Sequence, residues 1–203
     1  MRRTLFLGLI AWFAALPATA SATALPGRPA PAFELAAADG KPVRLADLRG
    51  RFVVLEWTNP SCPFVQKHYG SGNMQALQKR YTAANVVWLT INSTAQSHPE
   101  YLPPAQMASW VKQQGGAPTA VLLDADGKVG RAYGARTTPH MYVIDPNGVL
   151  VYAGAIDDKR SANVADVKTA NNYVAAALAD AMAGKPVGIG HTQAYGCSIK
   201  YAD

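Results

Sequence analysis

Cysteine is scarce in this sequence of 203 residues: only Cys62 and Cys197 are present, which allows one disulfide at most. Long apolar runs are scarce too. Residues 5–16 form a run of 12, well short of the roughly 20 that a membrane-spanning helix needs, so no stable membrane anchor is expected. Charge is sparse, with 19 basic against 13 acidic residues and no Lys/Arg run of five or more. Nucleic acid is therefore not an expected partner. No internal repeat and no second-domain linker is seen.

The N-terminus has the pattern of a secretory leader. Arg2 and Arg3 precede the apolar run, Pro17 breaks it, and Ala18-Thr19-Ala20 fits a small-x-small cleavage site. Ala20-Ser21-Ala22 and Ala22-Thr23-Ala24 fit as well, so residues 1–20 are read as a signal peptide with its cut between 20 and 24. No lipobox cysteine is present, because the first cysteine is residue 62. Loss of Arg2 and Arg3 changes the balance to 17 basic against 13 acidic, a net +4. About 180 residues remain, enough for one domain with a good core. The expected location is the periplasm or the exterior, where a pair of cysteines is a candidate disulfide.

Residues 25–51 read as an extended arm, a small hairpin and a one-turn helix. Residues 52–57, Phe-Val-Val-Leu-Glu-Trp, are a nearly continuous apolar run of β-favouring residues, as in a central strand buried on both faces. A turn over 58–61 ends at Cys62, and a helix is expected from there to about Tyr81, loosened at Gly70-Ser71-Gly72. Strands are predicted over 86–91 and 120–123, and a hairpin over 141–153 around Pro146-Asn147-Gly148. Helices are predicted over 105–114, 128–133 and 165–183, the last closed by Gly184 and Pro186. The domain spans 25–186, and a tail of 187–203 carries Cys197. Alternating strands and helices imply an α/β sandwich with a mixed sheet.

Cys62 stands where a buried strand hands over to a helix. Unpaired N–H groups and the positive end of the helix dipole both favour a thiolate there. Pro63 suits the first helical turn, where its missing N–H costs nothing. The bland reading is that Cys62 and Cys197 form only a structural staple.

The segment Leu55-Glu56-Trp57-Thr58-Asn59-Pro60-Ser61-Cys62-Pro63 resembles the strand–turn–nucleophile segment of thioredoxin-like proteins. It is close to the redoxin group (AhpC/TSA, peroxiredoxin-like) and to the exported thiol–disulfide reductases. Residues 133–145, Tyr-Gly-Ala-Arg-Thr-Thr-Pro-His-Met-Tyr-Val-Ile-Asp, resemble the cis-proline segment and following strand of the same superfamily. The likeness runs from about residue 26 to 183 and implies a thioredoxin-like sandwich, a central mixed sheet flanked by helices.

The resemblance implies roles for individual residues. Cys62 matches the nucleophile. Pro139 matches the proline whose bond with Thr138 is cis, exposing the preceding backbone to an extended substrate. Glu56 matches the buried acid behind the cysteine pair, where a raised pKa would let it shuttle a proton. Thr138, Pro139, Pro63 and His140 become candidate substrate-binding residues, and an imidazole at position 140 would favour a Cys62 thiolate.

Departures from the family pattern leave alternatives open. A dithiol oxidoreductase would carry a second cysteine at position 65, where this chain has Val65. The resolving thiol can then come only from Cys197, which requires the tail to fold back over the active-site face. Thiol peroxidases of the superfamily place Thr or Ser three before the cysteine and an arginine near the cis-proline. Here position 59 is Asn59, Thr58 is one residue off, and Arg131 and Arg136 are shifted. Copper chaperones use a cysteine pair that is absent here. Convergence of Cys62, His68 and His140 on a metal is the weaker reading, since His68, His98 and His191 read as solvated surface residues.

The favoured expectation is an exported thiol oxidoreductase with Cys62 as nucleophile, Cys197 as resolving thiol and Glu56 as acid–base group. It needs no cofactor and no metal. Its partners are a protein or small-molecule disulfide or peroxide and an external dithiol reductant. The alternatives are a thiol peroxidase and a non-catalytic binding or metal-handling module.

Overall fold

A computed structural model describes residues 24–202. The leader expected over 1–20 lies outside the described residues. The arm leads into an antiparallel hairpin, β1 (Glu34–Ala37) and β2 (Pro42–Arg44), and a 3-10 turn at Leu45–Leu48. The apolar run becomes β3 (Val53–Trp57), every residue of which is buried. Its alternation sorts the core into two layers. Leu55 and Trp57 face one cluster with Leu89, Ile91, Tyr133 and Tyr142, whereas Val54 faces the other with Trp88, Val143, Tyr69 and Leu178.

After β3 come the helices α1 (Pro63–Gly70) and α2 (Asn73–Ala83), and then β4 (Val87–Asn92). The expected loosening at Gly70-Ser71-Gly72 is a full break, with Gly72 left-handed at φ 75°. Next follow α3 (Pro104–Gln113), β5 (Ala120–Leu123), α4 (Lys128–Tyr133) and a short β6 (Thr137–Thr138). The hairpin strands are β7 (His140–Ile144) and β8 (Leu150–Gly154). The sheet order is β2-β1-β5-β4-β3-β7-β8, with β5, β4 and β3 parallel and the other pairings antiparallel. It is a mixed sheet with helices on its faces, the thioredoxin-like fold.

Two differences from the sequence reading stand out. The helix expected over 165–183 is split into a 3-10 turn at Val164–Thr169 and α5 (Tyr173–Met182). Asn172 causes the split, since its side chain accepts from Ala175 N at 2.9 Å and starts a fresh helix. The tail also forms a strand of its own, β9 (Cys197–Ser198), which pairs antiparallel with β6.

Candidate active site

The turn after β3 aims Cys62 through its own side chains. Asn59 Oδ1 accepts from Ser61 N at 2.9 Å, and Cys62 N donates to Asn59 O at 3.0 Å. Cys62 is then the N-cap of α1, and its carbonyl accepts from Val65 N and Gln66 N. The residue is 1% exposed. Its thiol makes no capping bond and donates instead to Thr138 O at 3.0 Å, immediately before the cis peptide bond of Pro139.

The tail covers this point. In the β6–β9 register Cys197 stands opposite Thr138, and Ile199 N donates to Arg136 O at 3.0 Å. Both cysteines are unbridged, and Cys197 packs against the buried cluster that contains Cys62. Burial pushes the Cys197 thiol up to about 12, helped by the neighbouring Cys62, while Lys200 pulls it down. Gly196 makes the approach possible. At its φ of +139°, a Cβ would lie 2.0 Å from Thr138 O, so only a glycine lets the tail backbone rest there.

Two tyrosines pin the tail on either side of Cys197. Tyr195 donates its hydroxyl to Asp157 Oδ1 and sets its ring edge-on to Phe64. Tyr201 donates to Ala135 O at 2.8 Å, lies under the Arg131 guanidinium, and occupies the space above Gly127 and Gly130. A tail without periodicity carries no signal that would have singled out these two.

Glu56 is fully buried on the α1/α2 side of β3. Its carboxyl accepts from Tyr69 Oη at 2.9 Å, Trp88 Nε1 at 2.8 Å, Gln78 Nε2 at 3.0 Å and Thr90 Oγ1 at 3.1 Å. Burial raises its pKa, and the four donors work against that rise. No hydrogen bond links it to either cysteine among the described residues. His140 is likewise apart from the two sulfurs in the hydrogen-bond network. It stacks on Tyr142 and borders a cleft of about 440 Å³ with Arg136 and His191, and burial lowers its pKa to about 4.

His68, read from sequence as solvated, is completely buried. It lies on the inner side of α1, where Asn73 Nδ2 contacts its Nδ1 at 3.0 Å and Asp157 Oδ2 lies 3.9 Å from its Nε2. Among the described residues no group of three or more His, Cys, Asp or Glu side chains is arranged to hold a metal ion. Of the side chains weighed for peroxide activation, Asn59 Nδ2 donates to Glu100 at 2.6 Å and Arg131 to Ala202 O, whereas the buried Thr58 Oγ1 has no hydrogen-bond partner among the described residues.

The sequence model of the AhpC/TSA family matches residues 26–153. The chain belongs to the AhpC/TSA family. Among solved structures, an uncharacterised conserved protein of Geobacillus kaustophilus is 30% identical, covering 89% of this chain and 94% of its own, with a TM-score of 0.74. A hypothetical protein of Sinorhizobium meliloti is 29% identical over 88% of this chain and 95% of its own, at 0.71. A Chlorobium tepidum protein provisionally named thiol:disulfide interchange protein DsbE shares the fold at 24% identity and 0.53, over 64% of this chain and 85% of its own. No curated protein matches the chain.

Proposed function

We propose that this redoxin is an exported thiol–disulfide oxidoreductase whose redox couple is Cys62 and Cys197. The observation that carries the reading is the β6–β9 register. It sets Cys197 opposite Thr138, the residue whose carbonyl accepts from the Cys62 thiol. A resolving thiol is thereby supplied from the tail, in a chain that has Val65 at the usual second-cysteine position.

The Cys62 thiolate, at the N-terminal end of α1 where the helix dipole favours negative charge, attacks one sulfur of a substrate disulfide. The substrate S–S bond breaks, a new S–S bond joins Cys62 to one half, and the other half leaves as a thiolate that takes up a proton. Cys197 then gives up its proton and attacks the Cys62 sulfur. The second half leaves as a thiol, and the protein retains a Cys62–Cys197 bond. The substrate has gained two electrons and the protein has lost two, which an external dithiol returns. Because burial pushes the Cys197 thiol up, its deprotonation accompanies the attack, with the departing sulfur as the natural acceptor. Glu56 is proposed to serve as a proton reservoir behind the sheet. Thr138 and Pro139 would bear the substrate backbone, with Pro63 and His140 at the margins.

The family membership favours a second reading, a thiol peroxidase. Cys62 would reduce a peroxide to its alcohol or water and become a sulfenic acid, and Cys197 would condense with it, releasing water. Both readings need the same internal bond and differ in the first oxidant.

The test is a comparison of reduced, leader-free protein with a small disulfide and with hydrogen peroxide, using Cys62→Ser as the blank. Cys197→Ser is expected to accumulate a stable mixed disulfide on Cys62, with turnover lost. Unchanged turnover in Cys197→Ser would remove the resolving role. A Cys62-dependent peroxide rate far above that of a free thiolate would favour the peroxidase.

A further inference from the structure

The helix that begins at Cys62 and the tail that carries Cys197 meet a second time, in a buried polar cluster that the redox chemistry itself does not use. Lys67 on α1 is 1% exposed. Its ammonium donates to Lys159 O at 2.6 Å and to the Tyr195 hydroxyl at 3.3 Å, and lies 3.3 Å from Asp157 Oδ2. Asp157, after β8, is 2% exposed and accepts from Tyr195 through Oδ1. Its other oxygen has no hydrogen-bond partner, nor has the facing Nε2 of His68. Phe64 and Lys67, three residues apart on α1 and so on one face, bracket the Tyr195 ring from its edge and from above.

A buried ion pair is a weak source of stability, because the desolvation of both charges opposes their attraction. What it does well is hold one geometry, since any shift leaves a buried charge unpaired. Tyr195 completes this pair from the tail. With the tail lifted, Lys67 and Asp157 lose their phenol partner and open to water. The cluster therefore registers the tail against α1 two residues before Cys197 and five after Cys62.

We propose that Lys67, Asp157 and Tyr195 form a latch that returns Cys197 to Cys62 after substrate has entered, making them positioning residues for the resolving step. The proposal rests on the reading of Cys197 as the resolving thiol. Cys62 is too buried to carry an adduct beneath the closed tail, so the mixed disulfide is an open-tail state. Latch closure then drives its conversion to the internal bond.

The experiment equilibrates the protein with reduced and oxidised glutathione, quenches with acid, and measures by mass spectrometry the ratio of Cys62–Cys197 disulfide to Cys62–glutathione adduct. Each oxidised glutathione that reacts fully yields two reduced glutathiones and one internal disulfide, so both species are counted on one scale. Tyr195→Phe keeps the ring and removes the hydroxyl. The ratio is expected to fall about tenfold, the worth of a hydrogen bond to a charged group. In a Cys197→Ser background the same substitution should leave adduct formation as fast or faster, because the tail opens more easily.

An unchanged ratio overturns the latch. So does a fall in the ratio matched by equally slowed adduct formation, which would mean general damage to the site. If the unsubstituted protein forms no internal disulfide in any buffer, the resolving role falls and the latch with it, an outcome distinct from the other two. Asp157→Asn, which keeps the shape and removes the charge facing Lys67, reads the same ratio should Tyr195→Phe not fold.

Discussion

Cys197 lies across from Thr138 in the β6–β9 register, and the Thr138 carbonyl is the acceptor of the Cys62 thiol at 3.0 Å. One residue thus pairs with the Cys197 backbone and accepts from the Cys62 thiol, although Cys62 and Thr138 are 76 positions apart in the chain. In the closed form the tail takes the β6 edge at Thr138, the edge that the proposed function assigns to an extended substrate.

Gly196→Ala tests how closely the tail must rest on that edge. A Cβ there would meet Thr138 O at 2.0 Å, and the +139° φ is strained for any L side chain. Strain of this kind costs about 1–3 kcal/mol, so the tail should lift. Internal disulfide formation with oxidised glutathione should slow by about tenfold or more, while the thermal midpoint of the sheet changes little. Mass spectrometry of alkylated samples measures the first and circular dichroism the second. A normal rate would mean that the tail need not touch Thr138.

Tyr201→Ala addresses the other anchor. It removes the bond to Ala135 O, the stacking under Arg131 and the packing over Gly127 and Gly130. The loss of a packed aromatic is expected to cost about 3 kcal/mol at most for a residue this exposed. Cys62 alkylation in a Cys197→Ser background should rise at least several-fold. An unaltered alkylation rate would show that Tyr201 does not restrain the lid.

Acid should destabilise the protein through one buried imidazole, His68, and one half-buried one, His140. His68 and His140 are each lowered to about 4, chiefly by burial. The unfolded chain binds protons near pH 6.5, so stability is full above that value and falls as pH drops towards 4. Each histidine is worth on the order of 3 kcal/mol over that window. His140→Phe, which keeps the stacking on Tyr142, should shrink the difference between urea unfolding at pH 7 and at pH 4.5. An unchanged difference would assign the acid sensitivity elsewhere.

Glu56 works with the opposite sign. Burial raises its pKa, so the folded state holds the proton more tightly than the unfolded chain. Its favourable contribution is present below the ordinary carboxylate range and is lost as pH rises through the raised value. Glu56→Gln should therefore gain stability relative to the unsubstituted protein as pH increases from about 4. Denaturant titrations across that range will show whether the difference between the two curves slopes this way. If Glu56 also serves as a proton reservoir, the same variant should flatten the pH profile of resolution.

The central strand, the thiol at its end and the order of the elements were legible from sequence, because each is a local signal. The apolar run before a turn marks β3, Pro63 marks a helix start, and the Thr138-Pro139 segment is a recognisable motif. The split at Asn172 was less legible, since a residue in mid-pattern becomes a cap only when its side chain captures the Ala175 N–H. His68, read as solvated, is buried, and nothing in the sequence marks the burial of Lys67 beside it. Asp157 and Tyr195, drawn from 90 or more positions downstream, enclose Lys67.

The sequence by itself determined that a cysteine would stand between a buried strand and a helix, with one other cysteine in the chain. Hydrophobic periodicity and turn chemistry act over a few residues, and they were enough for that. Only the tertiary structure decided where the second thiol goes. The tail has no periodicity to read, and its path is set by a backbone edge at Thr138, a bare α-carbon at Gly196 and a buried pair at Lys67 and Asp157. Those contacts come into existence only when distant segments are already packed together.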